Sequence, residues 1–245
     1  MPRAGVTSDR VAEEAEALAD EVGLQNITLA AVAARLGIRL PSLYKHIDSL
    51  AALKATVGER AIRELTEVMA RATVGRSGAD AVGALARALR GWALEHPGRY
   101  SATVAPPRRG AVVEAAAVAG GSVAAGAAGV AGVAGAAGAA GADSGSGEVV
   151  VVETDAETRA DSGEVVPEVE AVAAEAALEV IFDALAGFGL EGGDAIDATR
   201  ALRSLLHGFV SLEAAGGFGM PDDVDRSFDR LVDAFIRALP GYASA

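Results

Sequence analysis

Apolar residues return at helical spacing along most of this chain, and glycine or proline interrupts them at intervals. From Asp9 to Val22 the residues Val11, Ala15, Leu18, Ala19 and Val22 share one face, and Gly23 followed by Leu24 reads as a helix stop with an apolar residue folding back. Thr28 is placed to cap a second helix carrying Leu29, Val32, Ala33 and Leu36, and Gly37 stands where a tight reversal needs positive φ. Pro41 then opens a third helix, read to Ile47, at a first position where a missing N–H costs nothing. Ser49 caps a fourth helix running to about Thr73, with Leu53, Val57, Ala61, Leu65 and Val68 on one face. After a break at Gly75 to Gly78 the spacing resumes over residues 79 to 96, with Val82, Leu85, Leu89, Trp92 and Ala93 inward, and Pro97-Gly98 ends it.

The same period returns at Val169, Val172, Ala176, Leu178, Ile181, Phe182 and Leu185, and stops at Gly187 to Gly189. Asp194 is placed to cap a further helix through Leu202, Leu206, Phe209 and Val210, which Gly216-Gly217 closes. Pro221-Asp222-Asp223 begins the last helix, whose Val224, Phe228, Leu231, Val232, Phe235, Ile236 and Leu239 form a wide apolar stripe. The predicted class is all-α, with a three-helix helix-turn-helix unit over residues 1–50 and a helical domain over 51–245.

Between the two halves of that second domain the pattern dissolves. Gly126, Gly129, Gly132, Gly135, Gly138 and Gly141 recur every third residue among Ala and Val, and an acidic run follows. No proline fills the intervening positions, which removes a collagen helix. Ala115 to Ala142 carries no charge, yet it lacks Leu, Ile and aromatic belts, so a membrane span is not expected. The segment from about 110 to 163 is read as a disordered or loosely helical surface insertion, tolerable because loop-closure entropy grows slowly with length.

A hydrophobic content of 51% is ample for a core, but alanine supplies much of it and aromatics only 4%, so Leu, Val and Ala on helices must build it. The absence of cysteine removes disulfides, thiolate metal sites and cysteine nucleophiles together. No charged and then apolar leader opens the chain, and the expected location is the cytoplasm. A net charge of −13 is unfavourable for a polyanion partner until its distribution is considered. Residues 143 to 170 hold nine acids against Arg159, a local −8, which leaves −5 elsewhere. Arg35, Arg39, Lys45 and Lys54 lie around the third helix and form a local basic face.

That face also carries Ser42, Tyr44, Lys45 and His46, groups suited to phosphate oxygens and base edges. Tyr44 and His46 fit phosphates, Ser42, Lys45 and Arg39 fit base edges, and Leu40 and Pro41 suit a thymine methyl. His96 and His207 stand without a second histidine or a carboxylate at ligand spacing, so metal and catalytic roles are not expected. Trp92, Tyr100, Phe188, Phe209, Phe218 and Met220 either line a small-molecule cavity or pack as plain core. Gly187-x-Gly189 follows a helix and not a strand, so the dinucleotide context is missing. No base, nucleophile and orienter are grouped, and an enzyme is not expected.

Gly37, Ile38, Pro41, Leu43-Tyr44 and His46-Ile47, between flanking helices, resemble the DNA-binding domain of TetR/AcrR transcriptional regulators. Trp92, the run His96-Pro97-Gly98-Arg99-Tyr100 and the run from Leu206 to Glu213 are similar to the C-terminal half of the WHG-type subgroup. The resemblance spans about residues 8 to 106 and 165 to 240. It implies a homodimer on a palindromic double-stranded operator, a C-terminal ligand-binding and dimerisation domain, and release of a repressor by a small-molecule effector, with no cofactor and no metal. It assigns DNA contact to Thr28, Arg39, Leu40, Pro41, Ser42, Tyr44, Lys45, His46 and Lys54, and effector contact to Trp92, His96, Tyr100, His207, Phe209, Phe218 and Met220. Two positions depart from the pattern: Leu50 stands where many members carry a phosphate-touching lysine, and Ala30 where some carry a basic residue. Together with the acidic balance these leave a second reading, a small-molecule-binding or scaffolding protein with a weakened DNA head.

Overall fold

The computed structural model describes residues 6–104 and 167–243; the insertion expected at about 110–163 lies outside them. Among the described residues every regular element is helical. The order is α1 (Ser8–Val22), α2 (Leu29–Arg35), α3 (Leu40–Leu43), α4 (Leu50–Thr73), α5 (Gly78–Glu95), α6 (Pro97–Thr103), α7 (Pro167–Ala186), α8 (Gly192–Ala214) and α9 (Val224–Ala238), with 3₁₀ turns at Leu24–Asn26 and Leu239–Tyr242.

Local chemistry accounts for most boundaries. Thr7, Thr28 and Ser49 each accept a backbone N–H from the first turn of α1, α2 and α4, which satisfies a donor the helix leaves open. Gly37 reverses the chain at φ 66°, a conformation that a side chain would strain. Several boundaries differ from the sequence reading. In α3 Leu40 is the first residue and Pro41 follows it; both positions tolerate a missing N–H. That helix closes at Leu43, because the His46 N–H bonds to the Leu43 carbonyl at 2.9 Å and tightens the chain into a turn. Pro97 does not simply end α5 but opens α6. Glu191, not Asp194, occupies the cap position of α8, and Asp223 caps α9 by accepting from the N–H groups of Asp225 and Arg226, with Pro221 left in the preceding turn.

Two apolar cores form. The head core joins Val11, Leu18, Leu24, Ile27, Val32, Leu43, Leu53 and Val57, so α1 to α3 close against the start of α4. The body core joins Leu65, Met69, Leu85, Leu89, Trp92, Leu185, Leu202, Leu206, Phe228 and Val232. Helix α4 contributes to both, its first half to the head and its second half to the body. Much of the α9 stripe is used within the chain: Phe228, Val232 and Phe235 are buried. Arg90 on α5 ties the last two helices together, meeting Glu213 on α8 (2.5 Å) and Asp225 on α9 (2.6 Å) while its guanidinium stands 4.8 Å from the Phe228 ring centroid.

Candidate DNA-binding face and effector cavity

The head presents α3 and its following turn outward. Leu43 is fully buried and anchors the helix, whereas Arg39, Leu40, Pro41, Tyr44 and Lys45 are exposed, as is Thr28 at the start of α2. Ser42 and His46 are half-buried, and the His46 carbonyl accepts a hydrogen bond from Ser8 Oγ at 3.3 Å, which fixes the turn to α1. Tyr44, at 54% exposure, has no apolar reason to stand in water. The surrounding cations differ in availability. Arg35 is taken by Glu14 (3.1 Å) and Glu21 (2.7 Å), whose carboxylates hold its pKa above the ordinary value. Lys54 donates to the Gln25 carbonyl at 3.2 Å and so lies at the head's edge. Arg39 and Lys45 make no ion pair among the described residues, which leaves their charges for a partner.

The residues assigned to the effector separate into three places. Tyr100 and His207 line a cavity of about 150 Å³ between α4, α6, α7 and α8, with Ile62, Leu65, Met69, Ala177 and Ile181 among its apolar walls. Tyr100 Oη lies 3.3 Å from His207 Nδ1, and burial pushes the Tyr100 hydroxyl up to about 12 while the Arg203 charge pulls it partly back. Trp92 and His96 lie elsewhere, at the junction of head and body. Trp92 Nε1 donates to Glu64 on α4 (3.1 Å), and His96 packs on the Trp92 ring and against the Arg99 guanidinium. Phe209 and Phe218 meet at a tilt with ring centroids 4.6 Å apart, Phe209 also packs edge-on against Phe228, and Met220 is 81% exposed; Phe209, Phe218 and Met220 do not line the cavity.

The junction itself was not legible as a site. Arg99 donates to Asp20 on α1 through its backbone N–H (2.9 Å) and Nε (2.7 Å), and to Glu64 on α4 at 2.6 Å. Gly98 lies so close to α1 that a Cβ there would stand 1.8 Å from the Ala19 carbonyl oxygen. Tyr100 and Thr103 on the same short helix, and Val104 directly after it, line the cavity. Helix α6 therefore packs on the reading head through Gly98, Arg99 and Ala102 and walls the cavity with Tyr100 and Thr103. Arg203, which the sequence reading missed, also lines that cavity; its place one helical turn before His207 is the signal that could have found it. The α4 and α7 walls carried no signal beyond core periodicity. Among the described residues no group of His, Asp and Glu is arranged to hold a metal ion, and no helix is long and apolar enough to cross a membrane.

Comparison with known proteins agrees with this architecture. The model for the tetracyclin repressor-like C-terminal domain matches residues 82–160 and 148–235. The HTH-type transcriptional regulator YobS of Bacillus subtilis is 27% identical over 97% of this chain and 95% of its own length. The regulator Rv0681 of Mycobacterium tuberculosis is 30% identical over 91% of this chain and 75% of its own. Among solved structures, a TetR variant from Acinetobacter baumannii in complex with minocycline superposes with a TM-score of 0.59 at 17% identity, covering 98% of this chain and all (100%) of that one, which shows a shared fold. An outward helix-turn-helix joined through α4 and α6 to a cavity-bearing helical body, with the family model matching more than half of the chain, places this chain in the TetR family of transcriptional regulators.

Proposed function

We propose that this protein is a homodimeric repressor that leaves a palindromic operator when a small molecule enters the cavity between α4, α6, α7 and α8. The observation that carries the proposal is the double attachment of α6: Gly98 and Arg99 hold the head, and Tyr100, Thr103 and Val104 wall the cavity. A ligand that displaces Tyr100 moves α6, and α6 cannot move without shifting α1 against α4. Release follows if the ligand binds better to the arrangement in which the two heads no longer match successive major grooves, because only differential affinity shifts a population.

On DNA, Tyr44 and His46 meet phosphates, with Thr28 and Lys54 flanking them. Arg39, Ser42 and Lys45 reach base edges, and Leu40 and Pro41 meet a thymine methyl. The exposed Leu212 and the half-buried Leu205, Leu231 and Ile236 along α8 and α9 support a second copy packing there. With Arg35 already neutralised and Leu50 in place of a lysine, few phosphates are contacted and the salt dependence is shallow.

The test is fluorescence anisotropy of the full chain on its own upstream DNA across a salt series. A specific, salt-sensitive complex of two chains per site supports the reading. Binding no tighter than to scrambled DNA in every ligand state tested would overturn it.

A further inference from the structure

The polar groups of the effector cavity are gathered at one end, and their charge is of one sign. Arg203 and His207 stand four residues apart on α8 and so project from the same face, and His207 meets the Tyr100 hydroxyl. Arg203 is exposed where it borders the cavity, which puts it at the mouth, and among the described residues it forms no ion pair. No Asp or Glu is among the described lining residues. The two lining threonines direct their hydroxyl protons to their own helices, Thr66 to the Ile62 carbonyl (2.7 Å) and Thr103 to the Tyr100 carbonyl (2.8 Å). The remaining wall is aliphatic.

We propose that the effector is an apolar monocarboxylate, its carboxylate held by Arg203 and the Tyr100 hydroxyl and its hydrocarbon or aryl body seated among Leu65, Met69, Ala177 and Ile181. The inference rests on the effector-cavity reading above and names its ligand class. One guanidinium matches one carboxylate in fork geometry and leaves the filled pocket neutral, whereas a dianion would carry uncompensated charge into an apolar site. A cation would face Arg203 with no acid to receive it. A cavity of about 150 Å³ with aliphatic walls is large enough for a benzene ring, which sets the body at about six to eight carbons. Tyr100 stays protonated at neutral pH and is available as a donor to the acid.

The experiment is isothermal titration of the full chain at neutral pH with phenylacetate and octanoate, their neutral amides, and 2-phenylethylamine as the cation, run beside operator anisotropy on the same samples. At least one acid is expected to bind ten-fold or more tighter than its amide, with no heat from the amine. Arg203→Gln is expected to erase the acid's advantage and Arg203→Lys to restore part of it, with unchanged thermal melting because Arg203 is exposed. An amide bound as tightly as its acid, an Arg203→Gln variant that keeps the preference, or no binding of either acid overturns the proposal. If the acid binds in an Arg203-dependent way while DNA stays bound, the carboxylate site stands and operator release falls. If an amide or the amine binds and frees the DNA while neither acid does, release stands and the carboxylate site falls.

Discussion

Arg99 on α6 holds Asp20 on α1 by two bonds, its backbone N–H at 2.9 Å to one carboxylate oxygen and its Nε at 2.7 Å to the other. Both side chains are largely shielded, at 14% and 17% exposure, so water replaces these bonds poorly when they break. The pair joins the two units of the chain at the helix that also walls the cavity.

Replacing Asp20 with Asn keeps the shape and removes the charge. The expected cost is about 1–3 kcal/mol in urea unfolding, since a charge-assisted pair is lost and the Arg99 guanidinium stays shielded. The sharper expectation concerns coupling: ligand affinity of the free protein stays near wild type, and the ligand concentration needed to free the operator changes by several-fold. Titration of ligand alone and in the presence of labelled operator separates the two.

Gly98→Ala tests the close approach of α6 to α1. An added methyl would overlap the Ala19 carbonyl carbon and oxygen and lie 2.7 Å from the Asp20 nitrogen, all backbone atoms that cannot turn away. Overpacking of this kind costs about 2–3 kcal/mol, read by calorimetry as a fall in Tm of about 4–12 °C. A melting point within a degree of wild type would show that the two helices are free to part.

Lys45→Ala and Tyr44→Ala address the reading face. Both side chains are exposed and neither supports the core, so the variants are expected to fold and to dimerise as the parent does in sedimentation analysis. If Lys45 meets a phosphate instead of a base, its loss weakens all sequences alike and lowers the salt slope by about 1; if it reads a base, discrimination relaxes by about 1–3 kcal/mol at one operator position. Anisotropy over a salt series on matched and mutated operators distinguishes these outcomes.

Tyr100 gives the chain an alkaline limit. Its hydroxyl rises from an ordinary value of 10.0 to about 12 in the folded protein through burial, so between those values the native state holds a proton that the unfolded chain has lost. A raised folded pKa contributes stability that is complete below pH 10 and disappears as pH climbs toward 12. The loss across that window is on the order of 2 kcal/mol. The urea midpoint of wild type is expected to fall relative to that of Tyr100→Phe as pH rises from 8 to 11.5, after the other tyrosines and lysines cancel in the difference.

Most helices and the Gly37 turn are legible in the order of residues; α6 is not, because Pro97-Gly98 reads as a stop. Thr28, Gly37 and Ser49 act through bonds and dihedrals confined to their own turn, and the apolar period of α1, α4, α5, α8 and α9 is set by side chains three and four places apart. Such short-range rules leave their trace in the order of residues. Where the cavity lies and how it reaches the head are matters of helix-on-helix packing. Asp20 and Arg99 are far apart along the chain, and Ile62, Tyr100, Ala177 and Arg203 come from four helices whose meeting no local spacing records. Trp92 and His96 looked like ligand contacts because aromatic and imidazole groups suit a pocket; packing sends them to the junction, where Glu64, Asp20 and Arg99 give their polar atoms a partner. A side chain's chemistry is written in its letter, but its neighbours are fixed by helices packing against one another, and those neighbours decide which groups meet at this cavity.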